Sequence, residues 1–184
     1  PIYREQADYY EGQLTMFETM KKVDFYCEAA EDFYYDGYED TFDVIFTSPP
    51  YFNVERYSHD DNQSWVRYKD IDGWNTQFLQ KALDNMLPTL KSGGKLCVNI
   101  SDVYSSSTGK KTWSKICDPM NDFIQNYGGM EYKGCIGMEM AKRPNSGGAG
   151  TAKDKTQYSE EALQLAEETK NKRFCEPIWI WEKK

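Results

Sequence analysis

Two adjacent prolines set between a serine and a tyrosine, Ser48-Pro49-Pro50-Tyr51, are the residues whose types and spacing could do chemistry. Each proline locks its own φ near about −65°, so the Ser48 hydroxyl and the Pro49 carbonyl are held as two fixed hydrogen-bond acceptors. Tyr51 offers a flat face beside them. The set suits a planar ring that carries an exocyclic amine. Such an amine is a poor nucleophile, because its lone pair is delocalised into the ring. Acceptors that take its two hydrogens let the nitrogen pyramidalise, and acceptors held rigid before the reaction cost least to use. The tyrosine would stack on the ring. Two prolines alone make an ordinary turn, but a small polar residue, two prolines and an aromatic in a row arise by chance at roughly one position in thirty thousand.

The elements that must position this motif alternate between helical and strand patterns, which favours a layered α/β sheet. Phe42-Asp43-Val44-Ile45-Phe46 reads as a buried strand of a mainly parallel sheet that ends at the proline pair, since neither proline can donate to a ladder. Before it, Gln13–Lys22 has helical spacing and Val23–Cys27 reads as a short strand. After it, residues 52 to 73 are polar, aromatic and aperiodic, the pattern of a substrate-side loop. Trp74, Phe78, Leu79, Ala82, Leu83, Met86, Leu87 and Leu90 then recur at helical spacing, with Gly93-Gly94 closing the helix before a strand over Lys95–Ile100. A helix over Thr112–Tyr127, bent or broken at Pro119, leads to a strand over Tyr132–Met140. Last come a helix over Ser159–Lys170 and a strand over Phe174–Trp181.

With 184 residues the chain fits one domain, residues 1–184. It has no run of the 18 or so apolar residues needed to cross a bilayer, and its acidic, polar start is unlike a signal peptide, so a cytoplasmic protein with no membrane partner is expected. Five scattered cysteines and a single histidine, His59, supply no metal-ligand spacing; no metal is expected. The net charge of −8 argues against a polyanionic partner until its distribution is considered. Residues 1–130 hold 12 basic against 21 acidic side chains, a net −9, whereas residues 131–184 hold 10 against 9, a net +1. Lys142, Arg143, Lys153 and Lys155 flank the Gly-rich stretch in that second part and are the expected contacts to a nucleic-acid backbone, with a solvated surface loop as the alternative.

The run Phe42 to Phe52, with Ser-Pro-Pro-Tyr at its end, resembles the S-adenosylmethionine-dependent amino-methyltransferases of DNA, whose signature is Asp, Asn or Ser followed by Pro-Pro and Tyr or Phe. Leu90–Ile100 and Glu176–Trp181 resemble the next glycine turn and strand and the closing strand of that family, and the likeness covers most of residues 23–184. It implies a Rossmann-like methyltransferase fold, a mainly parallel sheet with helices on both faces. It also implies methyl transfer from S-adenosylmethionine to the exocyclic amine of a flipped cytosine or adenine in DNA. On that reading Ser48, Pro49, Pro50 and Tyr51 are catalytic, and Phe52 and Asn53 line the base pocket. Direct transfer from a sulfonium needs positioning rather than a metal, and a base inside a duplex must be flipped to be reached.

The family's glycine-rich cofactor loop and following acid have no counterpart here, so the chain is expected to be incomplete at its N-terminus, with Ala29 and Glu31 nearest the cofactor's adenine. Incompleteness would leave the Phe42–Phe46 strand with an open edge, a cause of self-association. Alternatives on the same fold are a noncatalytic nucleic-acid-binding or assembly protein, or an enzyme acting on RNA or a protein glutamine. Asn99, Ser101 and Asp102 end a strand beside the motif and could serve either a ligand or a helix cap.

Overall fold

The computed structural model describes residues 24, 26–105, 112–139 and 175–184. A four-stranded sheet organises them, with β1 (Phe42–Thr47), β2 (Leu90–Asn99), β6 (Cys175–Lys183) and β5 (Met130–Glu139) in that spatial order. β1 and β2 run parallel, joined by a helical crossover. β6 runs antiparallel to both of its neighbours. The described sheet is therefore mixed α/β, with parallel pairing at its start and a reversed strand between β2 and β5. Continuous apolar runs suggest burial, which parallel strands share with a central antiparallel strand, and so they cannot reveal direction. A small hairpin, β3 (Val103–Ser105) with β4 (Thr112–Ser114), follows the end of β2.

The crossover between β1 and β2 carries α1 (Ser64–Arg67) and then one unbroken helical path. The path runs from α2 (Ile71–Gly73) through a π-helical stretch (Trp74–Gln80) and α3 (Lys81–Met86) to a 3-10 turn (Leu87–Thr89). Asp70 caps the start, its side chain accepting from the Gly73 N–H. The path ends at Thr89, and not at the glycine pair. β2 begins at Leu90, so Gly93 and Gly94 lie inside a strand, where the register with β1 shifts between Phe42 and Val44. Gly94 is required there for space: a Cβ would stand 2.9 Å from the Lys91 carbonyl oxygen and 3.2 Å from that of Asp43. The glycines read as a helix stop lie instead in an irregular stretch of β2, where Gly94 lets two backbones approach.

A second correction concerns residues 112–127. Thr112–Ser114 is strand, and the helix, α4, spans only Cys117–Tyr127. Pro119 falls in its first turn, where the missing N–H would have had no intrahelical partner, so the helix is not broken. The N-terminal donors are met from a distance. One Asp102 carboxylate oxygen accepts from the Ile116 and Cys117 N–H groups at 2.8 and 3.0 Å, and the other pairs with Lys115 at 3.0 Å. Burial alone would raise the Asp102 pKa, but these donors outweigh it and hold the carboxyl below its ordinary range. Of the two roles open to Asp102, the cap is the one built.

One core joins these parts. Leu96 and Val98 of β2 stand in register with Trp181 and Trp179 of β6, and all four are buried against Leu79, Leu83, Leu87, Ile116, Met120 and Ile124 from the helical side. Alternation along the strands puts Val44, Phe46, Ile136 and Ile178 on the other face. There Val44 and Phe46 are exposed by 57% and 62%, so the described helices cover one face only. The helices expected at 13–22 and 159–170, and Lys142, Arg143, Lys153 and Lys155, lie outside the described residues; of the strand expected at 23–27, residues 24, 26 and 27 are described and none of them is strand.

Candidate active site at the strand ends

Three strand ends meet at the Ser-Pro-Pro-Tyr motif, and topology is the reason. β1 and β2 are parallel with Thr47 opposite Val98, so Ser48 leaves β1 beside Asn99, the last residue of β2. β6 is antiparallel, with Ile178 opposite Asn99, so its first residues, Glu176 and Pro177, reach the same edge. The carboxyl edge of parallel strands is where α/β folds place their ligands.

Asn99 is 4% exposed and joins the three ends. Its Nδ2 donates to the Pro177 carbonyl at 3.1 Å, just beyond the point where β2 and β6 cease to pair. A carbonyl can only accept, so this contact fixes which end of the amide faces which way. The Asn99 Oδ1 is thereby turned to Ser48, whose hydroxyl donates to it at 3.4 Å. With its hydrogen so directed, the Ser48 oxygen keeps its lone pairs for an outside donor. Ser48 itself is exposed, Pro49 is buried, and Pro50 and Tyr51 are half-buried.

Tyr51 is anchored at both ends. Its hydroxyl donates to Glu176 Oε2 at 3.2 Å, and its N–H donates to Glu55 Oε2 at 3.2 Å. Burial first, and the Glu176 carboxylate second, push the hydroxyl well above the usual phenol range, so it stays a donor at any working pH. The chain then turns sharply: the Phe52 N–H donates to the Pro50 carbonyl and the Val54 N–H to that of Tyr51, both at 2.9 Å. Phe52 occupies the left-handed region at φ 43°, which is uncommon for a bulky residue. Its ring is 6% exposed and packs edge-on against the fully buried Trp74, with centroids 6.1 Å apart. Expected in the base pocket, Phe52 is instead built into the core beneath the motif, while Asn53 is half-buried beside it.

Ala29 and Glu31 are brought elsewhere. The Ala29 carbonyl closes a turn with the Asp32 N–H at 2.9 Å. Glu31 is 1% exposed, and its Oε1 accepts from Arg67 Nη1 at 2.8 Å and from the Tyr68 hydroxyl at 3.2 Å. Asn85 Nδ2 donates to the Glu31 carbonyl at 3.1 Å. Among the described residues these contacts tie residues 29–32 to the crossover, and none reaches the motif.

Residues 42–184 match the family model described as DNA methylase, which covers most of the chain, including the motif and all six described strands. The chain belongs to the DNA methylase family. The solved structures to which this methylase-family chain is similar include TTHA0409 of Thermus thermophilus, a DNA modification methylase by its assigned name, in complex with S-adenosyl-L-methionine. That match has 17% identity and a TM-score of 0.49, over 85% of this chain and 53% of that one. TTHA0409 without that ligand matches at 16% identity with a TM-score of 0.49, over 84% and 51%. The chain thus spans about half the length of the solved structures it matches. No curated protein matches. Among the described residues no helix is long and apolar enough to cross a membrane.

Sequence patterns did not single out Glu176, Pro177 or Glu55 as site residues. Glu176 carried one signal, a charge at the mouth of an otherwise apolar strand. Glu55 carried none, since an acid in an acidic loop is unremarked until its carboxylate is seen on the Tyr51 N–H.

Proposed function

We propose that the chain carries the base-binding part of an S-adenosylmethionine-dependent amino-methyltransferase of DNA, acting on the exocyclic amine of a flipped cytosine (N4) or adenine (N6). The observation that carries this reading is the aim of the Ser48 hydroxyl. Asn99 takes its hydrogen, so the oxygen is left as an acceptor for one amine hydrogen, and the Pro49 carbonyl is the acceptor for the other. Tyr51, tethered to Glu176 and Glu55, holds its ring for stacking on the base. Asn53 stands beside the base and Phe52 supports the turn from the core. With both hydrogens held, the nitrogen lone pair is directed away from the ring.

S-adenosylmethionine would supply the methyl group. The residues expected to hold it do not fit that role, because the Glu31 carboxylate is buried and already engaged by Arg67 and Tyr68. The same observation favours a second reading, a noncatalytic nucleic-acid-binding or assembly protein on this fold, in which DNA binds without a methyl donor. The remaining partner assignments are a cytoplasmic location, backbone contacts from Lys142, Arg143, Lys153 and Lys155, and self-association. The last is supported by β1, which among the described strands pairs only with β2 and so has one edge with no described strand beside it. Sedimentation should show dimers or larger species; a monodisperse monomer at high concentration would remove self-association from the proposal.

Transfer of isotope-labelled methyl from S-adenosylmethionine to DNA tests the main reading, with the product nucleoside identified by mass spectrometry in the full-length gene product. N4-methylcytosine or N6-methyladenine is expected. Methylation of neither base, in an enzyme that binds both DNA and cofactor, overturns it. Calorimetric titration separates the second reading, which requires that S-adenosylmethionine not bind while DNA does.

A further inference from the structure

The turn that leaves the motif, residues 53–57, presents two exposed side chains, Arg56 and Tyr57, that hydrogen bonds orient. Arg56 is exposed. Its Nε donates to the Asn53 carbonyl at 3.0 Å, and its guanidinium carbon lies 4.9 Å from the centre of the Trp65 ring. Trp65 is itself fixed, its indole N–H donating to the Ser58 carbonyl at 3.1 Å with His59 packed edge-on at 5.3 Å. One N–H and one face of the guanidinium are thus spent on orientation. Its two terminal NH2 groups meet no carboxylate among the described residues. Two parallel N–H donors in a rigid fork match a phosphate or a carboxylate bidentately.

Tyr57 is the next residue and is 71% exposed. Its hydroxyl donates to Glu55 Oε2 at 2.8 Å, and the same oxygen accepts the Tyr51 N–H at 3.2 Å. A single carboxylate oxygen therefore ties an exposed aromatic ring to the backbone of the catalytic motif. Two of the loop's carboxylates are held in place by neutral donors: Glu55 as described, and Asp60 by the Ser58 hydroxyl at 2.7 Å. A fixed guanidinium fork beside a fixed exposed ring is the pair of chemistries that a single nucleic-acid strand requires, one for its phosphate and one for a base face.

Resting on the proposed DNA substrate, we infer that residues 53–57 dock the strand carrying the target base. Arg56 takes a backbone phosphate next to the flipped nucleotide, and Tyr57 stacks on the neighbouring base that flipping leaves exposed. The site lies within nine residues of Ser48 along the chain, so it fixes the strand close to the motif.

Fluorescence anisotropy with a labelled single-stranded DNA of about 16 nucleotides, titrated across a range of KCl, reads both contacts on the full chain. Arg56→Gln should weaken binding and lower the slope of log K against log salt by about 0.7, the loss of one phosphate on a single strand. Arg56→Lys should keep the slope and still bind more weakly, because an ammonium lacks the fork. Tyr57→Ala should weaken binding about 5- to 100-fold, whereas Tyr57→Phe, which keeps the ring and drops the bond to Glu55, should stay close to wild type. Lys91→Gln, at the opposite end of β2 and paired with Asp43, should change neither quantity. An unchanged slope in Arg56→Gln, near-wild-type affinity in Tyr57→Ala, or tighter binding of an RNA of the same sequence would each overturn the inference. These results leave the methyl-transfer assay untouched, so failure here is distinguishable from failure of the proposed function; absence of any DNA binding by the wild type would overturn both.

Discussion

Alanine at Asn99 should lower methyl transfer by about as much as alanine at Ser48, each about 10²- to 10³-fold in the chemical step, and the double variant should lose little more than either alone. In the proposed function Ser48 supplies the acceptor, and the contact with Asn99 is what makes its hydroxyl an acceptor. Without the Asn99 oxygen the Ser48 hydroxyl is free to point its hydrogen at the amine, where it would compete for the lone pair that must reach the methyl carbon. Residues that act as one unit give strongly non-additive losses, so the double-mutant cycle is the decisive form of the measurement. Single-turnover rates keep binding apart from chemistry. Asn99→Ala also leaves the buried Pro177 carbonyl without its donor, at a cost of about 1–3 kcal/mol in stability, and Asn99→Asp would set a carboxylate against that carbonyl. Ser48→Ala leaves the Pro177 contact intact and should unfold near wild type. Full activity in Asn99→Ala with Ser48→Ala inactive would show that the hydroxyl needs no aiming.

Arg67→Ala should be the most destabilising single surface-side change, about 3 kcal/mol, read as a lower urea midpoint with an unchanged m-value. Glu31 is 1% exposed and its carboxylate has Arg67 as its cationic partner at 2.8 Å. Removing the guanidinium leaves a buried negative charge with only the Tyr68 hydroxyl against it, and also releases Asp32 from its contact at 2.7 Å. The Arg67 side chain is 30% exposed, so water relieves part of the penalty and the value belongs at the lower end of the roughly 3–5 kcal/mol usual for breaking a buried pair. Replacing both partners, Glu31→Leu with Arg67→Met, should recover much of the loss, because an apolar pair carries no desolvation cost. The same variants address the cofactor. Were Glu31 a ligand of the methyl donor, Glu31→Gln would change its affinity at little cost in stability; a structural acid reverses that order.

The strand carrying the motif was legible because a short apolar run cut off by two prolines admits few readings, and β1 ends at Thr47, one residue past the expected Phe46. The closing strand was equally plain from Ile178, Trp179, Ile180 and Trp181. Direction was not, since burial patterns do not encode which way a buried strand runs, and the antiparallel placement of β6 is what delivers Glu176 to the motif. Gly93-Gly94 misled because the same two letters end helices and permit close strands, and only the approach of the Asp43 and Lys91 carbonyls to Gly94 tells which. Within the site, Ser48, Pro49, Pro50 and Tyr51 were contiguous and could be read together. Asn99, Glu176 and Glu55 reach them through the fold and through carboxylate and amide oxygens whose partners no spacing predicts.

The π-helical stretch Trp74–Gln80 carries a consequence for anyone who aligns or redesigns this crossover. Its hydrogen bonds span five residues rather than four, so the helical path from Ile71 to Thr89 holds about one residue more than an α-helix of the same rise. A helical wheel drawn at about 100° per residue falls out of phase across this stretch, so Trp74, which seats Phe52 beneath the motif, and the residues after Gln80 do not share one wheel. An idealised α-helical replacement must shed one residue before it starts, or the turn after the Ser-Pro-Pro-Tyr motif loses the indole on which it rests.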